Sequence, residues 1–335
     1  MRWPAALFVL STVACNAIVN FGELQRVPAT LDEPPAEEEE PIVEGGAPKP
    51  PKEGGGAKPP GCDPTKPFGT PVLLPGPINA VSALESSPTL TDDELVIVFG
   101  RIVGSADTSL VMATRSSFDV EFGEPRAVPG LAATRTSHAP TMTGDGLVLF
   151  WSEQVIDTGG REPAILSAKI LSARRSTRSA DFGAPAPYRQ NEDNGLKTSP
   201  FVTRDGSELY FSQFESPEVI HVYRSVRGEF NVYQPPERVN ELASDDGSEG
   251  GIAMTDDGLR IYFASSRAGA EGANDVYTAT RKDRASPWTN IERVPELSSP
   301  SSDRPGWLSP DGCRLYMGSE RESGGGLFVA TKPPK

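Results

Sequence analysis

The chain has 335 residues, 23% of them charged, and a formal net charge of -14. That acidity excludes a nucleic-acid partner held by phosphate contacts and argues against an electrostatic grip on anionic lipid. Gly and Pro number 33 each, which favours short strands and many turns over helices.

Residues 1–15 read as a signal peptide. Arg2 supplies the positive n-region, and Ala5 to Val13 form an apolar run too short to span a bilayer permanently. Val13-Ala14-Cys15 resembles the end of a bacterial lipobox, which implies cleavage before Cys15 and lipid on its sulfur. The alternative is a plain secretory signal cut at or near Ala14 or Ala17. Residues 16–66 are read as a tether rich in Pro, Glu and Gly, with the run Glu37-Glu38-Glu39-Glu40 and the triplet Gly54-Gly55-Gly56. Without apolar periodicity such a segment buries too little surface to offset its ordering entropy.

From residue 67 to 335 the chain repeats itself. Phe68-Gly69-Thr70-Pro71, Phe122-Gly123-Glu124-Pro125 and Phe182-Gly183-Ala184-Pro185 are near copies, read as strand starts, and Phe230 and Trp288 take the same place twice more. A hairpin follows each of the five, with alternating apolar residues around an Asp-Gly turn, as in Thr203-Arg204-Asp205-Gly206-Ser207-Glu208-Leu209-Tyr210-Phe211. Other copies centre on Asp145-Gly146, Asp257-Gly258 and Asp311-Gly312, with a degenerate one at Asp92-Asp93-Glu94. Each unit ends in another strand, such as Leu110-Val111-Met112-Ala113-Thr114-Arg115. In the second unit Ile165-Leu166-Ser167-Ala168-Lys169 is assigned that place.

Four strands over about 54 residues is a propeller period. The pattern predicts an all-β, five-bladed propeller of four-stranded blades. The first strand has no hairpin before it, so the ring is expected to close by placing Phe68–Leu74 outside the last blade. Thr-x-Asp-Gly-x-x-Leu-Tyr-Phe followed by Asp275-Val276-Tyr277-x-Ala279 resembles the WD40-like repeat of TolB-type propellers. That resemblance implies an envelope protein contacting envelope or cell-wall partners. The apolar hairpin residues Leu209, Tyr210, Phe211, Ile261, Tyr262 and Phe263 are expected in the core between blades.

No Gly-x-Ser-x-Gly, His-Glu-x-x-His, Cys-x-x-Cys or phosphate-binding loop occurs. Asp245-Asp246-Gly247-Ser248-Glu249 has the composition of a calcium loop without its spacing, so no metal or cofactor is assigned. Aligning the repeats leaves one constellation just ahead of each innermost strand: Glu85, Ser137-His138, Lys197, Glu249 and Asp303-Arg304. Placed in loops at one mouth of the channel, these residues would form a mixed-charge ring for a peptide, a glycan or a partner's loop. Alternatively they are wet loop residues. His221 is read as a structural strand residue. Lipidation of Cys15 leaves Cys62 and Cys313, a disulfide candidate across the ring closure, or else two free thiols.

The sequence therefore suggests a non-catalytic binding or scaffold protein of the bacterial envelope. It would be a monomer, anchored only through its lipid on the outer membrane or periplasmic face, or secreted if unlipidated. Its partner would be an envelope protein, a peptide or a glycan. The alternative is a glycan hydrolase using carboxylates among Glu85, Glu249 and Asp303, about 5–9.5 Å apart.

Overall fold

The computed structural model describes residues 61–103, 107–132, 136–157, 164–188, 195–216, 219–229, 232–321 and 324–335. The signal peptide, Cys15, the tether up to residue 60 and Phe230 lie outside them. Five four-stranded antiparallel sheets stand around one axis. Blade 1 holds β2 (Ala83–Leu90), β3 (Val96–Val103), β4 (Asp107–Thr114) and β5 (Arg126–Ala127). Blade 2 holds β6 (Ser137–Met142), β7 (Val148–Asp157), β8 (Ala164–Arg174) and β9 (Ala186–Pro187). Blade 3 holds β10 (Lys197–Val202), β11 (Glu208–Phe214), β12 (Ile220–Val226) and β13 (Glu237–Arg238). Blade 4 holds β14 (Glu249–Met254), β15 (Arg260–Ser265), β16 (Asp275–Thr280) and β17 (Thr289–Arg293). Blade 5 holds β18 (Asp303–Leu308), β19 (Arg314–Ser319), β20 (Gly326–Thr331) and, outermost, β1 (Val72–Leu73). Val72 faces Val329 and Leu73 faces Phe328, so the N-terminal strand closes the ring as the repeat count requires.

The first strand of each blade is innermost, because these strands touch one another in sequence around the ring. An inner strand has no further strand to satisfy its free edge. Threonines of the preceding blade serve instead: Thr89 Oγ1 accepts the Met142 N–H at 3.1 Å, and Thr141 Oγ1 accepts that of Val202 at 3.1 Å. Each inner strand also shifts register midway. In blades 1 to 3 the bulge is a positive-φ residue before proline, at Ser87, Ala139 and Ser199. Proline is tolerated there because a bulge frees its nitrogen from the ladder.

The repeated turn is held by its own side chains. In blade 2 the Thr143 hydroxyl donates to Asp145 at 2.6 Å. That carboxylate accepts the Leu147 N–H at 2.9 Å, and Thr143 Oγ1 accepts the Val148 N–H at 3.1 Å. The same three bonds recur from Thr91, Thr203, Thr255 and Ser309. Glycine follows the aspartate at φ 68 to 74° in four blades, and Glu94 stands there at φ 59° in the fifth. Its left-handed backbone costs about 1–3 kcal/mol. Its side chain meets Arg314 at 2.6 Å and the Tyr316 hydroxyl at 2.7 Å across the blade 5–blade 1 interface, which offsets that strain.

Two strand assignments need correction. Phe68, Phe122, Phe182 and Trp288 do not sit on outer strands but in the loops before them, because each ring is held under a cation ending the third strand. Arg115 lies 4.5 Å over Phe122, Arg175 4.6 Å over Phe182, Arg281 4.3 Å over Trp288, and Lys332 4.8 Å over Phe68. In blade 2 the residues matching Leu110–Arg115 are 170–175, not 165–169. The hairpin of β7 and β8 is longer than its counterparts, which displaces the match.

Among the described residues five apolar clusters form the core, each shared by two adjacent blades. Leu209, Tyr210, Phe211, Ile261, Tyr262 and Phe263 all belong to them. Residues 61–66, assigned by composition to the tether, are attached to the ring. Cys62 is buried, bonds to Cys313 with Cα atoms 5.6 Å apart, and bridges to Pro334.

Candidate functional site

The residues aligned from the repeats occupy equivalent registers. Glu85, Ser137, Lys197, Glu249 and Asp303 pair with Arg101, Glu153, Gln213, Ser265 and Ser319 of their second strands. They gather at one end of the inner strands, opposite the Asp-Gly turns. Two features differ from the sequence reading. These residues lie on the inner strands rather than in loops, and they are buried: Glu85 is 1% exposed, His138 5%, Lys197 and Asp303 0%, Glu249 2%. Arg304, half-buried, donates to Ser302 Oγ at 3.2 Å.

Buried carboxylates need compensation, and the three acids obtain it in the same way. Arg267 Nη2 reaches Glu249 Oε1 at 3.2 Å and the Leu242 carbonyl at 2.6 Å, while its Nε donates to Ser265. Arg321 Nη2 reaches Asp303 Oδ1 at 2.7 Å and the Leu297 carbonyl at 2.8 Å, while its Nε donates to Ser319. Arg101 Nε reaches Glu85 Oε1 at 2.8 Å, and its Nη2 reaches the Ile78 carbonyl at 3.2 Å. Each arginine thus clasps the acid to the linker entering its blade. The clasping arginines escaped the sequence reading. The pairs Ser265-x-Arg267 and Ser319-x-Arg321 were the available signal.

Glu249 is fully engaged: His221 Nδ1 lies 2.8 Å from Oε2, and Ser244 and Ser265 donate to Oε1. This inward commitment removes it from the calcium-like run that precedes it. Among the described residues no group of three or more His, Cys, Asp or Glu is placed to hold a metal ion. Glu85 differs, since its Oε2 has no hydrogen-bond partner. Burial pushes its pKa up, against the Ala80 N–H and Arg101. His138 Nε2 lies 3.0 Å from Thr198 Oγ1, and burial pulls its pKa down to about 4.

The other end of the channel is closed by Arg204, which follows Thr203 in the blade 3 turn. Its guanidinium pairs with Asp92 of blade 1, approaches Asp256 of blade 4 at 3.5 Å, donates to the Leu308 carbonyl of blade 5 and lies 5.0 Å over Trp307. Below it a cavity of about 20 Å³, lined by Thr141, Phe201, Met254 and Trp307 among others, has room for one water.

No family model and no curated protein matches the chain. Solved structures share the propeller. A glycoside hydrolase aligns at TM-score 0.54 and 11% identity, over 81% of this chain and 92% of that one. The endo-arabinase of Bacteroides thetaiotaomicron aligns at TM-score 0.50 and 12% identity, over 80% and 98%. A TolB protein of Agrobacterium tumefaciens aligns at TM-score 0.45 and 18% identity, over 72% of each chain. At these identities the likeness is one of fold.

Proposed function

We propose that the chain is a non-catalytic binding or scaffold protein of the bacterial envelope, exported and presented on a tether lipidated at Cys15. The observation that carries the non-catalytic reading is the condition of Glu85, Glu249 and Asp303. Each is no more than 2% exposed and each is held by an arginine, so none presents its carboxylate to solvent where a glycosidic bond would lie. The disulfide of Cys62 and Cys313 is in keeping with an oxidising compartment. The partner class is an envelope protein, a peptide or a glycan, met by a monomer.

Fractionating cells that express the full chain tests the anchor. The wild type should sediment with membranes and Cys15→Ala should become soluble. A fully soluble wild type would overturn the anchor.

The second reading is a glycan hydrolase. Glu85 favours it, because an unpartnered carboxyl oxygen with a raised pKa is what a general acid requires. Incubation with a panel of arabinans and other glycans separates the two readings. Turnover abolished by Glu85→Gln would replace the scaffold reading with the enzyme.

A further inference from the structure

The arginines that end the third strands are equivalent by backbone pairing: Arg115, Arg175, Arg227 and Arg281 each donate their N–H to the turn of their own blade. Their side chains meet different fates. Arg281 Nη2 lies 3.6 Å from Glu208 of the preceding blade, a carboxylate also held by Arg224 at 2.8 Å. Arg115 Nη2 lies 3.9 Å from Glu94. At the two intervening interfaces the second strands begin with Val96 and Val148, which have no charge to offer. All four arginines keep one buried nitrogen without a hydrogen-bond partner, but Arg115 and Arg281 have a carboxylate within 4 Å, whereas among the described residues Arg175 and Arg227 have none.

Both unmatched arginines line one cavity of about 340 Å³ on the turn face between blades 2 and 3, with Arg174, Arg204, Asp145 and Asp205 in its wall. Arg204 is already paired with Asp92 and Asp256, which leaves Arg174, Arg175 and Arg227 as the cations of the wall in a chain whose net charge is -14. Neither aspartate lies within ion-pair distance of Arg175 or Arg227. Asp145 holds Thr143 and the Leu147 N–H, and Asp205 holds Thr203, Ser207 and Arg284. The volume falls at the low end of ligand pockets, roughly 300–1,000 Å³, and suits a small molecule.

We propose that this cavity binds the oxyanion of a small molecule, a carboxylate or phosphate group, through Arg175 and Arg227. The ligand supplies from outside the charge that Glu208 supplies to Arg281 one blade further on. Planar guanidinium forks suit both oxyanions.

Calorimetric titration of the protein with inorganic phosphate and with citrate, at constant ionic strength against chloride, tests the proposal. Saturable binding of either probe supports it, and the pair of probes separates a phosphate site from a carboxylate site. Arg227→Gln and Arg175→Gln should each weaken binding by at least about tenfold. Val148→Glu places an internal carboxylate where Glu208 stands in blade 3. It should fold, pair with Arg227 and abolish binding, so it decides the matter even if the arginine variants fail to fold. Heats no different from those of chloride, or unchanged affinity in Val148→Glu, would overturn the proposal.

Discussion

At the turn end of the inner strands, all five blades use the same hydroxyl–aspartate network, and its bonds reach no further than five residues along the chain. At the opposite end only blades 1, 4 and 5 share a device, the acid–arginine clasp. There the partners are 16 to 18 residues apart, and the arginine also holds a carbonyl of the linker before the blade. Blades 2 and 3 place Ser137 and Lys197 in that register instead. One end is thus maintained by local chemistry and repeated faithfully. The other fixes how a blade meets its linker and varies from blade to blade.

The largest expected loss comes from breaking a clasp. Glu249→Ala leaves Arg267 and His221 without their shared carboxylate in a buried site. Removing one partner of such a pair costs about 3–5 kcal/mol. Urea denaturation of the variant measures it. A loss below about 1 kcal/mol would mean that the clasps are incidental to stability.

The turn end carries a covalent long-range link, the disulfide from Cys62 to Cys313 beside the blade 5 turn, with a sequence separation of 251. Replacing both cysteines with serine should cost about 2–5 kcal/mol, mostly by freeing the unfolded chain. Two thiols found by alkylating the unreduced protein would show that the bridge does not form.

This division explains what could be read in advance. The ring, its blade number and its closure were legible because Thr-x-Asp-Gly turns and Phe-Gly loops are local and periodic. The registers of Glu85, Lys197, Glu249 and Asp303 followed from the same alignment. The burial of the three acids did not, because it depends on Arg101, Arg267 and Arg321, which reach back across a hairpin. The role of Glu94 was hidden for a similar reason. It looked like a decayed glycine position, and its partners Arg314 and Tyr316 lie over 200 residues away. The lack of a carboxylate beside Arg175 and Arg227 was hidden because the positions that decide it, Val96 and Val148, belong to the preceding blade.

A proton probes the variable end directly. His138 titrates near 4 in the folded chain, against about 6.5 when unfolded. Between those values the unfolded state binds more protons, so stability falls as pH drops from about 6.5 to about 4 and levels off below. The loss attributable to His138 approaches about 3 kcal/mol at the bottom of that window. Glu85 has the opposite sign, since its raised pKa lets the folded state bind the extra proton and gain as pH falls. Melting temperatures from pH 7 to 4 should therefore fall less steeply in His138→Gln and more steeply in Glu85→Gln than in the wild type. Parallel profiles in all three proteins would refute both assignments.

The smallest effect sharpens the comparison within one strand, because Thr255 and Glu249 flank the two ends of β14. Thr255 Oγ1 donates to Asp257 at 2.6 Å and accepts the Arg260 N–H at 3.0 Å. Thr255→Val removes both bonds, one of them to a carboxylate, and solvent at this exposed turn holds the net contribution of the pair to about 1 kcal/mol. The expected loss is about 1 kcal/mol. Thr255→Ser should recover most of it, since Ser309 performs the same task in blade 5. If the two ends are independent, Thr255→Val and Glu249→Ala combined should lose the sum of their separate losses within about 0.5 kcal/mol. They share no partner, so the inner strand is the one route by which they can couple. A deviation well beyond that margin would mean that the clasp sets the strand on which the turn is built.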